Sequence, residues 1–301
     1  MKNILCFSFI FLTLLDAQIK ITATEILPIP KSEQWTVAVY SPTGDELYLT
    51  NSDYSGIWQY SLTSKLLKEI TRDKNSGYNF IVSEDGSKIV YRRTAVEGDQ
   101  YSRVQEIVET DLQSMKQSIL EKGNSLNTPV FIVDKNSRRQ KIFNKKSVSS
   151  QDKTPVLIGI EDTKIALLQN GEKSIVDPFN NGQYVWPQLS PDKTKLVAVE
   201  MDKGAFIYDL TSKVITRLGK CNSPQWTKDG AWIIGMNDKD DGHSIYGSEI
   251  IAVSSDGSRH VQLTETPSII EMFPTVSPKE NSIVLSTMSG DVMIMTFVEG
   301  E

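Results

Sequence analysis

Residues 184–218, YVWPQLSPDKTKLVAVEMDKGAFIYDLTSKVITRL, contain four short stretches rich in β-branched and aromatic residues. Tight turns separate these stretches: a Ser-Pro-Asp turn at 190–194, a polar loop at 201–204 and a Thr-Ser-Lys turn at 211–213. Runs of this composition between Gly, Asp, Ser and Pro are typical of strands joined by hairpins. The segment therefore predicts one antiparallel sheet of four strands.

The same order of strands and turns recurs along the chain. The turns that open the six copies are Ser41-Pro42-Thr43-Gly44-Asp45, Ser83-Glu84-Asp85-Gly86-Ser87, a weaker Val133-Asp134-Lys135-Asn136, Ser190-Pro191-Asp192-Lys193, Thr227-Lys228-Asp229-Gly230 and Ser277-Pro278-Lys279-Glu280. A sheet-forming unit that repeats roughly every 47 residues indicates a radial array of small sheets. We predict an all-β fold, a six-bladed β-propeller of four-stranded antiparallel sheets. A two-layer sandwich also has many short strands, but it does not repeat one motif six times.

The predicted blades differ in how clearly the sequence defines them. They lie near residues 34–71, 78–120, 128–177, 184–218, 223–264 and 272–298. In the degenerate third copy, the second strand is either residues 141–143 or residues 156–160, and the sequence leaves both open. The Asn170-Gly171 dipeptide predicts a hairpin between residues 165–169 and 173–176.

The sixth copy has only three strand-like segments. An open sheet edge is a liability that proteins avoid. Residues 19–27, IKITATEIL, alternate apolar and polar side chains and have no other place in the repeat pattern. We therefore expect this segment to supply the outer strand of the last sheet and to close the ring.

The first 17 residues have the pattern of a signal peptide. Lys2 precedes a run of twelve mostly apolar residues, ILCFSFIFLTLL, which is shorter than the about 20 that a transmembrane helix needs. We predict cleavage after Ala17, an uncleaved anchor being the alternative. The mature chain, residues 18–301, would then be exported, either periplasmic or secreted, with no stable insertion into a membrane.

Cysteine and tryptophan positions bear on how the fold is held together. Because Cys6 lies in the predicted signal, the mature chain keeps one cysteine, Cys221, and packing rather than a disulfide has to hold the fold. We expect Cys221 to be a small buried residue. The tryptophans lie near strand positions and are expected to pack between blades: Trp35, Trp58, Trp186, Trp226 and Trp232.

Composition argues against nucleic acid as a partner. The chain has 32 Lys and Arg against 38 Asp and Glu, a formal net charge of −6. The basic pairs Arg138-Arg139 and Lys145-Lys146 are short spots in a loop-like stretch. No basic patch of the kind that binds phosphate backbones is visible.

The repeat resembles that of the TolB-like propeller family. The best copy reads PQWTKDG at residues 224–230 and continues through Asp241-Gly242-His243 and Asp256-Gly257 to Gln262-Leu263-Thr264. The resemblance covers nearly the whole mature chain and implies a propeller fold. It does not imply one activity, because this repeat occurs in interaction proteins, in the propellers of prolyl-oligopeptidase-type enzymes and in some lyases. We expect neither the mixed domain that precedes the propeller of the family's namesake nor the hydrolase domain of the peptidases.

The sequence lacks the motifs of the common catalytic sites. There is no Gly-x-Ser-x-Gly nucleophile elbow and no glycine-rich phosphate loop. The only histidines, His243 and His260, are 17 residues apart, which is not the spacing of a zinc site. We therefore predict a non-enzymatic protein without a cofactor. The alternative is a glycan- or peptide-processing enzyme, or a carbohydrate-binding module, that uses the propeller channel as its pocket.

The densest polar segment is NDKDDGHS, residues 237–244, in the loop between the second and third strands of the fifth copy. Asp238 and Asp240, with Glu249 eleven residues after Asp238, echo a calcium loop, although the glycine is one position early. A hydrogen-bonded turn pinned by His243 and a loop that contacts a partner are the other two interpretations.

Rigid propeller blades present their loops at one rim, where they can build a binding site. We expect that rim to gather residues 51–56, 94–103, 201–204, 237–247 and 288–291 and the connections 177–184 and 265–271. The predicted binding residues are Asp238, Asp240, Asp241, His243, Tyr101 and Arg103. The expected partner of this monomeric propeller is a protein or a component of the cell envelope.

Overall fold

The computed structural model describes residues 19–97, 102–126, 130–134, 139–143, 154–169 and 172–300. Apart from one short 3₁₀ turn at Lys31–Glu33, the regular structure of these residues is β-strand. The predicted signal peptide lies outside the described residues.

The protein is a six-bladed β-propeller, as the repeat predicted. Blade 1 consists of β2 (Trp35–Tyr40), β3 (Glu46–Asn51), β4 (Ile57–Ser61) and β5 (Leu67–Thr71); blade 2 of β6 (Ile81–Val82), β7 (Lys88–Glu97), β8 (Ser102–Asp111) and β9 (Gln117–Gly123). Blade 4 consists of β15 (Tyr184–Leu189), β16 (Lys195–Glu200), β17 (Gly204–Asp209) and β18 (Ile215–Gly219); blade 5 of β19 (Asn222–Trp226), β20 (Trp232–Asp240), β21 (Ile245–Ser254) and β22 (His260–Gln262). Each of these sheets is antiparallel, with its strands in sequence order.

Blade 6 is closed by the N-terminal strand. Its order is β1 (Ile19–Ile26), β25 (Val292–Glu299), β24 (Ser282–Thr287) and β23 (Glu271–Val276). β1 pairs antiparallel with β25 from the Ile19–Glu299 pair to the Ile26–Met293 pair. The predicted ring closure is therefore confirmed.

The third blade contains both segments between which the sequence left the choice open. β10 (Val130–Asp134) pairs with β11 (Arg139–Phe143) in a two-stranded sheet, whereas β12 (Val156–Glu161), β13 (Lys164–Gln169) and β14 (Glu172–Val176) form a three-stranded sheet. β12 contacts the first strand of blade 4, as β16 contacts the first strand of blade 5. β12 thus occupies the place of the second strand, and the β10–β11 pair is an additional hairpin next to it. The predicted 165–169/173–176 hairpin is the β13–β14 pair.

Hydrophobic clusters between adjacent blades hold the ring together. The first strands of blades 4, 5 and 6 contact one another in turn, and that of blade 6 contacts β2 of blade 1. Separate clusters join blades 1 and 2, 3 and 4, 4 and 5, 5 and 6, and 6 and 1. At about 25 cal/mol per Å² of buried apolar surface, this packing is the main stabilising term in a chain whose one described cysteine, Cys221, is free.

Four of the five tryptophans pack as expected, and one does not. Trp35, Trp58, Trp226 and Trp232 are buried members of the inter-blade clusters, whereas Trp186 is 38% exposed. The packing prediction is therefore wrong for Trp186. A β-bulge in β15 shifts the register between Val185 and Gln188 and places Trp186 outside the regular alternation of the strand.

Candidate functional site

The repeated turns between first and second strands are built around a buried hydroxyl group. In blade 4, Ser190 Oγ donates to Asp192 Oδ1 at 2.6 Å and accepts from the Lys195 backbone N–H at 2.9 Å. Thr227 and Asp229 repeat the first of these contacts in blade 5, also at 2.6 Å. Short side-chain oxygens that bond the local backbone explain why the same turn residues recur in the sequence.

These turns meet one another at one end of the ring, which we call the turn rim. A Cβ at Gly44 would lie 2.6 Å from Cβ of Lys279, and Lys279 Nζ is 2.5 Å from Asp45 Oδ1, so blade 6 abuts blade 1. Glu84 of blade 2 pairs with Lys193 of blade 4 at 3.7 Å. Similar approaches join three further pairs of blades: Gly86 lies next to Thr43, Gly230 lies next to Pro191, and Lys228 donates to the Lys279 carbonyl. The turns of neighbouring blades therefore contact one another at this end of the ring.

Within the described residues, the opposite end, which we call the loop rim, carries two hairpins that are longer than the others. β7 has 10 residues and β20 has 9, whereas the second strands of blades 1, 4 and 6 have 6 each. At about 3.3 Å per residue, the extra length projects roughly 10 to 13 Å beyond the neighbouring loops. Because blades 2 and 5 are three positions apart in a ring of six, the two hairpins stand on opposite sides of the channel mouth.

The blade 5 hairpin carries four of the predicted binding residues. Residues 237–247 are mostly strand rather than the predicted loop, since β20 extends to Asp240 and β21 begins at Ile245. Asp238 is buried and accepts from Asn222 Nδ2 at 2.6 Å, so it anchors the hairpin to β19. Asp240, Asp241 and His243 lie exposed near the tip.

The exposed aspartates of this tip bond its backbone. Asp241 Oδ1 accepts from the backbone N–H groups of Ser244 at 2.8 Å and His243 at 2.9 Å, which lowers the pKa of its carboxyl group. Asp240 Oδ1 accepts from the Gly242 N–H at 3.0 Å. The geometry supports the hydrogen-bonded-turn interpretation, with Asp241 rather than the His243 ring as the pinning side chain.

The calcium interpretation does not fit this geometry. Asp238 pairs with Ser248 across the β20–β21 ladder and Asn237 pairs with Glu249, so the Asp238 and Glu249 side chains lie on opposite faces of the sheet. Glu249 instead accepts from Thr264 and Thr266. Among the residues that the structure describes, no group of three or more His, Cys, Asp or Glu could hold a metal ion.

The blade 2 hairpin carries the remaining predicted residues. Tyr101 lies outside the described residues, and Arg103 is exposed on β8. Lower on the hairpin, Arg93 pairs with Asp73 and Glu106, both at 2.9 Å. These ion pairs hold the base of the hairpin, and no sequence motif indicates which residues pair.

Aromatic groups that sequence reasoning missed line the loop rim between the hairpins. Tyr54 and Tyr78 meet edge to face with ring centroids 5.5 Å apart, and the Arg92 guanidinium lies 6.0 Å from the Tyr78 ring. Tyr78 is exposed, immediately before the first strand of blade 2.

The first strands share an unusual backbone conformation just below this rim. Asn79, Trp186, Ser223 and Phe273 all have φ between +49° and +55°, and each lies four residues before a buried turn hydroxyl. In blades 4, 5 and 6 the next residue is proline, which by itself favours an extended neighbour. Positive φ is costly for bulky side chains, so Trp186 and Phe273 are held there by the surrounding sheet. In blades 4, 5 and 6 a proline marks this conformation in the sequence. It lies five positions before the turn residue Asp192, Asp229 or Lys279.

The groups that would serve catalysis are dispersed. His243 lies exposed at the hairpin tip and His260 lies exposed on the outer strand of blade 5. Cys221 is buried as expected, and burial raises the pKa of its thiol to about 12, so it is not a nucleophile at neutral pH.

Comparison with known proteins supports the fold. No protein-family model matches the sequence, and no curated protein sequence matches it. The β-propeller domain of Cps50 (Swd1) from Myceliophteria thermophila is 12% identical with a TM-score of 0.59, over 93% of this chain and 99% of that one. A chain of the mitotic checkpoint complex is 10% identical with a TM-score of 0.59, over 98% of both chains. TolB from Acinetobacter baumannii is 14% identical with a TM-score of 0.48, over 89% of this chain and 55% of TolB.

Fold and comparisons together define the class: the protein is a β-propeller. At these identities the likeness extends to the fold alone. In the part of the chain that the structure describes, none of the helices is long and apolar enough to cross a membrane.

Proposed function

We propose that this protein is an exported, TolB-like propeller that binds a protein or cell-envelope component through its loop rim, without catalysis. The observation that carries the proposal is the pair of long hairpins on opposite blades, with the channel mouth between them. Functional residues tend to lie on loops that a rigid scaffold positions. Here the scaffold is the closed ring, and the predicted residues Arg103, Asp240 and His243 are exposed on the hairpins.

The two rims differ in a way that favours the loop rim as the binding surface. At the turn rim, turn residues contact one another from blade to blade. At the loop rim, the strands of both hairpins extend beyond the neighbouring loops, and the blade 5 tip is exposed to a partner. An interface of standard size needs about 800 Å² on each partner, and two projecting hairpins with the surface between them offer such a site.

Site-specific photo-crosslinking tests this proposal. A photoreactive phenylalanine analogue is placed at His243 and Arg103 on the loop rim, and at Leu66 and Val214 as matched exposed positions in turns at the other rim. Crosslinking in an envelope fraction should yield the same specific adduct from both hairpin positions and none from the two controls. No specific adduct, or equal labelling from both rims, would contradict the proposal.

Export and the absence of catalysis have separate tests. The sequence pattern at residues 1–17 supports export, and mass spectrometry of the protein from envelope or medium should find Gln18 as the first residue. An intact N-terminus in the cytoplasm would contradict export. A screen on polysaccharides and peptides should show no turnover, and turnover that survives repurification would contradict a purely binding role.

A further inference from the structure

Residues 180–186, NNGQYVW, form an exposed part of the loop rim with a strained backbone. Asn180 and Asn181 have φ of +57° and +148°, and Trp186 has φ of +51°. The side chains of Asn180, Asn181, Gln183 and Trp186 are all exposed. Strained backbone that the surrounding structure maintains is concentrated at binding and catalytic sites.

The carboxylate of Asp177 holds this segment in one conformation. It accepts from the Tyr184 hydroxyl at 2.6 Å and the Gly182 N–H at 3.1 Å, and it pairs with Lys164 at 2.8 Å. A Cβ at Gly182 would lie 2.2 Å from the Tyr184 hydroxyl oxygen, so only glycine allows this approach. Three polar contacts to one partly buried anchor make the segment preorganised, which lowers the entropy cost of binding.

Trp186 offers an aromatic face at the channel mouth. It lies on β15, the strand of blade 4 nearest the axis, which is covered by β16 on one edge and by neighbouring first strands on its flanks. Trp186 is 38% exposed and lies near the end of β15 that starts at the loop rim. The other four tryptophans are 9% exposed or less, so this is the one with a free ring.

Two cations near the segment are already paired inside the protein. Lys164 pairs with Asp177, and Arg217 pairs with Glu200 at 2.6 Å while its guanidinium stacks 3.9 Å from the Phe179 ring. A charged ligand would gain little from these two cations, since each already has a partner inside the protein. The segment itself carries no charged side chain, and it presents one aromatic face and the amides of Asn180, Asn181 and Gln183, which donate and accept hydrogen bonds.

We propose that residues 180–186 form a subsite for a neutral sugar ring. The apolar C–H face of a pyranose stacks on Trp186, and amides that both donate and accept match its hydroxyl groups. This subsite is distinct from the hairpin contacts to a protein partner, and the crosslinking result does not decide it.

The test uses the full mature chain and a panel of probes. The neutral probes are cellotetraose, maltotetraose, xylotetraose and chitotetraose; the comparators are tetragalacturonate and a proline-rich peptide. Because the other tryptophans are buried, quenching of fluorescence by acrylamide reports mainly on Trp186. We expect at least one neutral probe to protect Trp186 from acrylamide and to bind with a Kd of ~1 mM or tighter by calorimetry.

Three variants assign the binding to the segment. Trp186→Ala should weaken it by about tenfold or more, as truncation of an aromatic anchor does. Asn181→Gly, which removes an amide and tolerates the positive φ, should weaken it several-fold. Tyr246→Ala, an exposed aromatic residue on the blade 5 hairpin, should leave the affinity unchanged.

Several results would overturn the proposal. These are no protection and no heat with any neutral probe, unchanged affinity in both Trp186→Ala and Asn181→Gly, or protection by only tetragalacturonate or the peptide. If Trp186→Ala fails to fold, as judged by circular dichroism, Asn181→Gly alone decides the outcome.

Discussion

Glu249 and Glu271 meet at one hydroxyl group, that of Thr264. Thr264 Oγ1 lies 2.5 Å from Glu271 Oε2 and 3.0 Å from Glu249 Oε2, and it accepts from the Ile250 N–H at 2.8 Å. A hydroxyl group has one proton, so it can donate to only one of the two carboxylates. The other contact is a hydrogen bond only if that carboxyl group is itself protonated. Glu271 is fully buried at the junction of blades 5 and 6, and burial, with the nearby charge of Glu249, raises its pKa.

This arrangement predicts that ionisation of Glu271 destabilises the fold at the junction of blades 5 and 6. Because the folded-state pKa of Glu271 is raised, its favourable contribution is present at acid pH and is lost as pH rises through that pKa. Glu271→Gln should therefore be more stable than the wild type at about pH 8, and the difference should shrink toward about pH 4. Urea unfolding across this range measures it, with the exposed Glu265→Gln as control. A difference that is independent of pH would contradict the shared-proton arrangement.

Asp177 predicts the opposite pH dependence. Burial opposes its ionisation, but the hydrogen bonds from Lys164, Tyr184 and Gly182 prevail and hold its pKa at about 2. Its contribution is present above the ordinary pKa of 3.8 and is lost as pH falls through about 2. Asp177→Asn should destabilise the protein by about 1.5 to 3 kcal/mol at neutral pH, as expected for hydrogen bonds to a charged group.

Denaturant unfolding near neutral pH and near pH ~2 checks this difference, which should narrow at the lower pH. Asp53→Asn, at an exposed loop position, is the matched control and should have no effect. An Asp177→Asn protein as stable as the wild type at neutral pH would show that the Asp177 contacts do not hold the segment.

Ring closure by β1 predicts that substitutions at two isoleucines of this strand differ in their effect on stability. Ile19 is 1% exposed in the cluster between blades 5 and 6, whereas Ile26 is 54% exposed. Ile19→Ala should lower the free energy of unfolding by about 2 to 5 kcal/mol, whereas Ile26→Ala should change it little. Thermal melting of the two variants side by side measures the contrast, and equal losses would contradict the assigned register of β1.

Removal of the whole strand should have a larger effect. A chain that starts at Pro28 loses the pairing with β25 and the buried side chains of Ile19 and Leu27, together about 3 to 6 kcal/mol of burial. That is a large part of a typical stability of about 5 to 15 kcal/mol. This chain should melt far below one that starts at Gln18 or should aggregate, and equal melting temperatures would mean that β1 does not close the ring.

Alanine substitutions at two glycines distinguish the effect of backbone strain on stability from the effect of close packing. Gly44 and Gly242 have similar positive φ, +77° and +85°, but a Cβ at Gly44 would clash with Lys279 whereas one at Gly242 would meet no atom within 4 Å. In both alanine variants, backbone strain should lower the free energy of unfolding by about 1 kcal/mol. Gly44→Ala should lose a further 1 to 3 kcal/mol, roughly, from overpacking. Equal melting temperatures would show that the turns do not abut.

Much of the fold could be predicted from the sequence because it depends on local chemistry. The Ser-Pro-Asp and Thr-Lys-Asp-Gly turns fix where each blade begins, and β-branched runs fix its strands. The closing strand could be predicted as well, since an open edge in blade 6 and an unassigned strand-like segment at residues 19–27 have one simple solution. In the third blade, two segments of equal strand character compete, and only their contacts show which one lies next to β13.

The candidate site was predicted only in part, and the reason is physical. The hairpin residues Asp240, Asp241 and His243 form a polar run within one segment, so local composition was enough to find them. Trp186 was misassigned because strand periodicity places it inside, whereas the register shift between Val185 and Gln188 takes it out of that alternation. Sequence by itself determined the repeat, the turns and the closing strand, which follow from propensities of neighbouring residues. Tertiary structure decided which turns abut, which tryptophan is exposed and which carboxyl groups meet at Thr264, because those depend on residues that are distant in sequence and adjacent only in the closed ring.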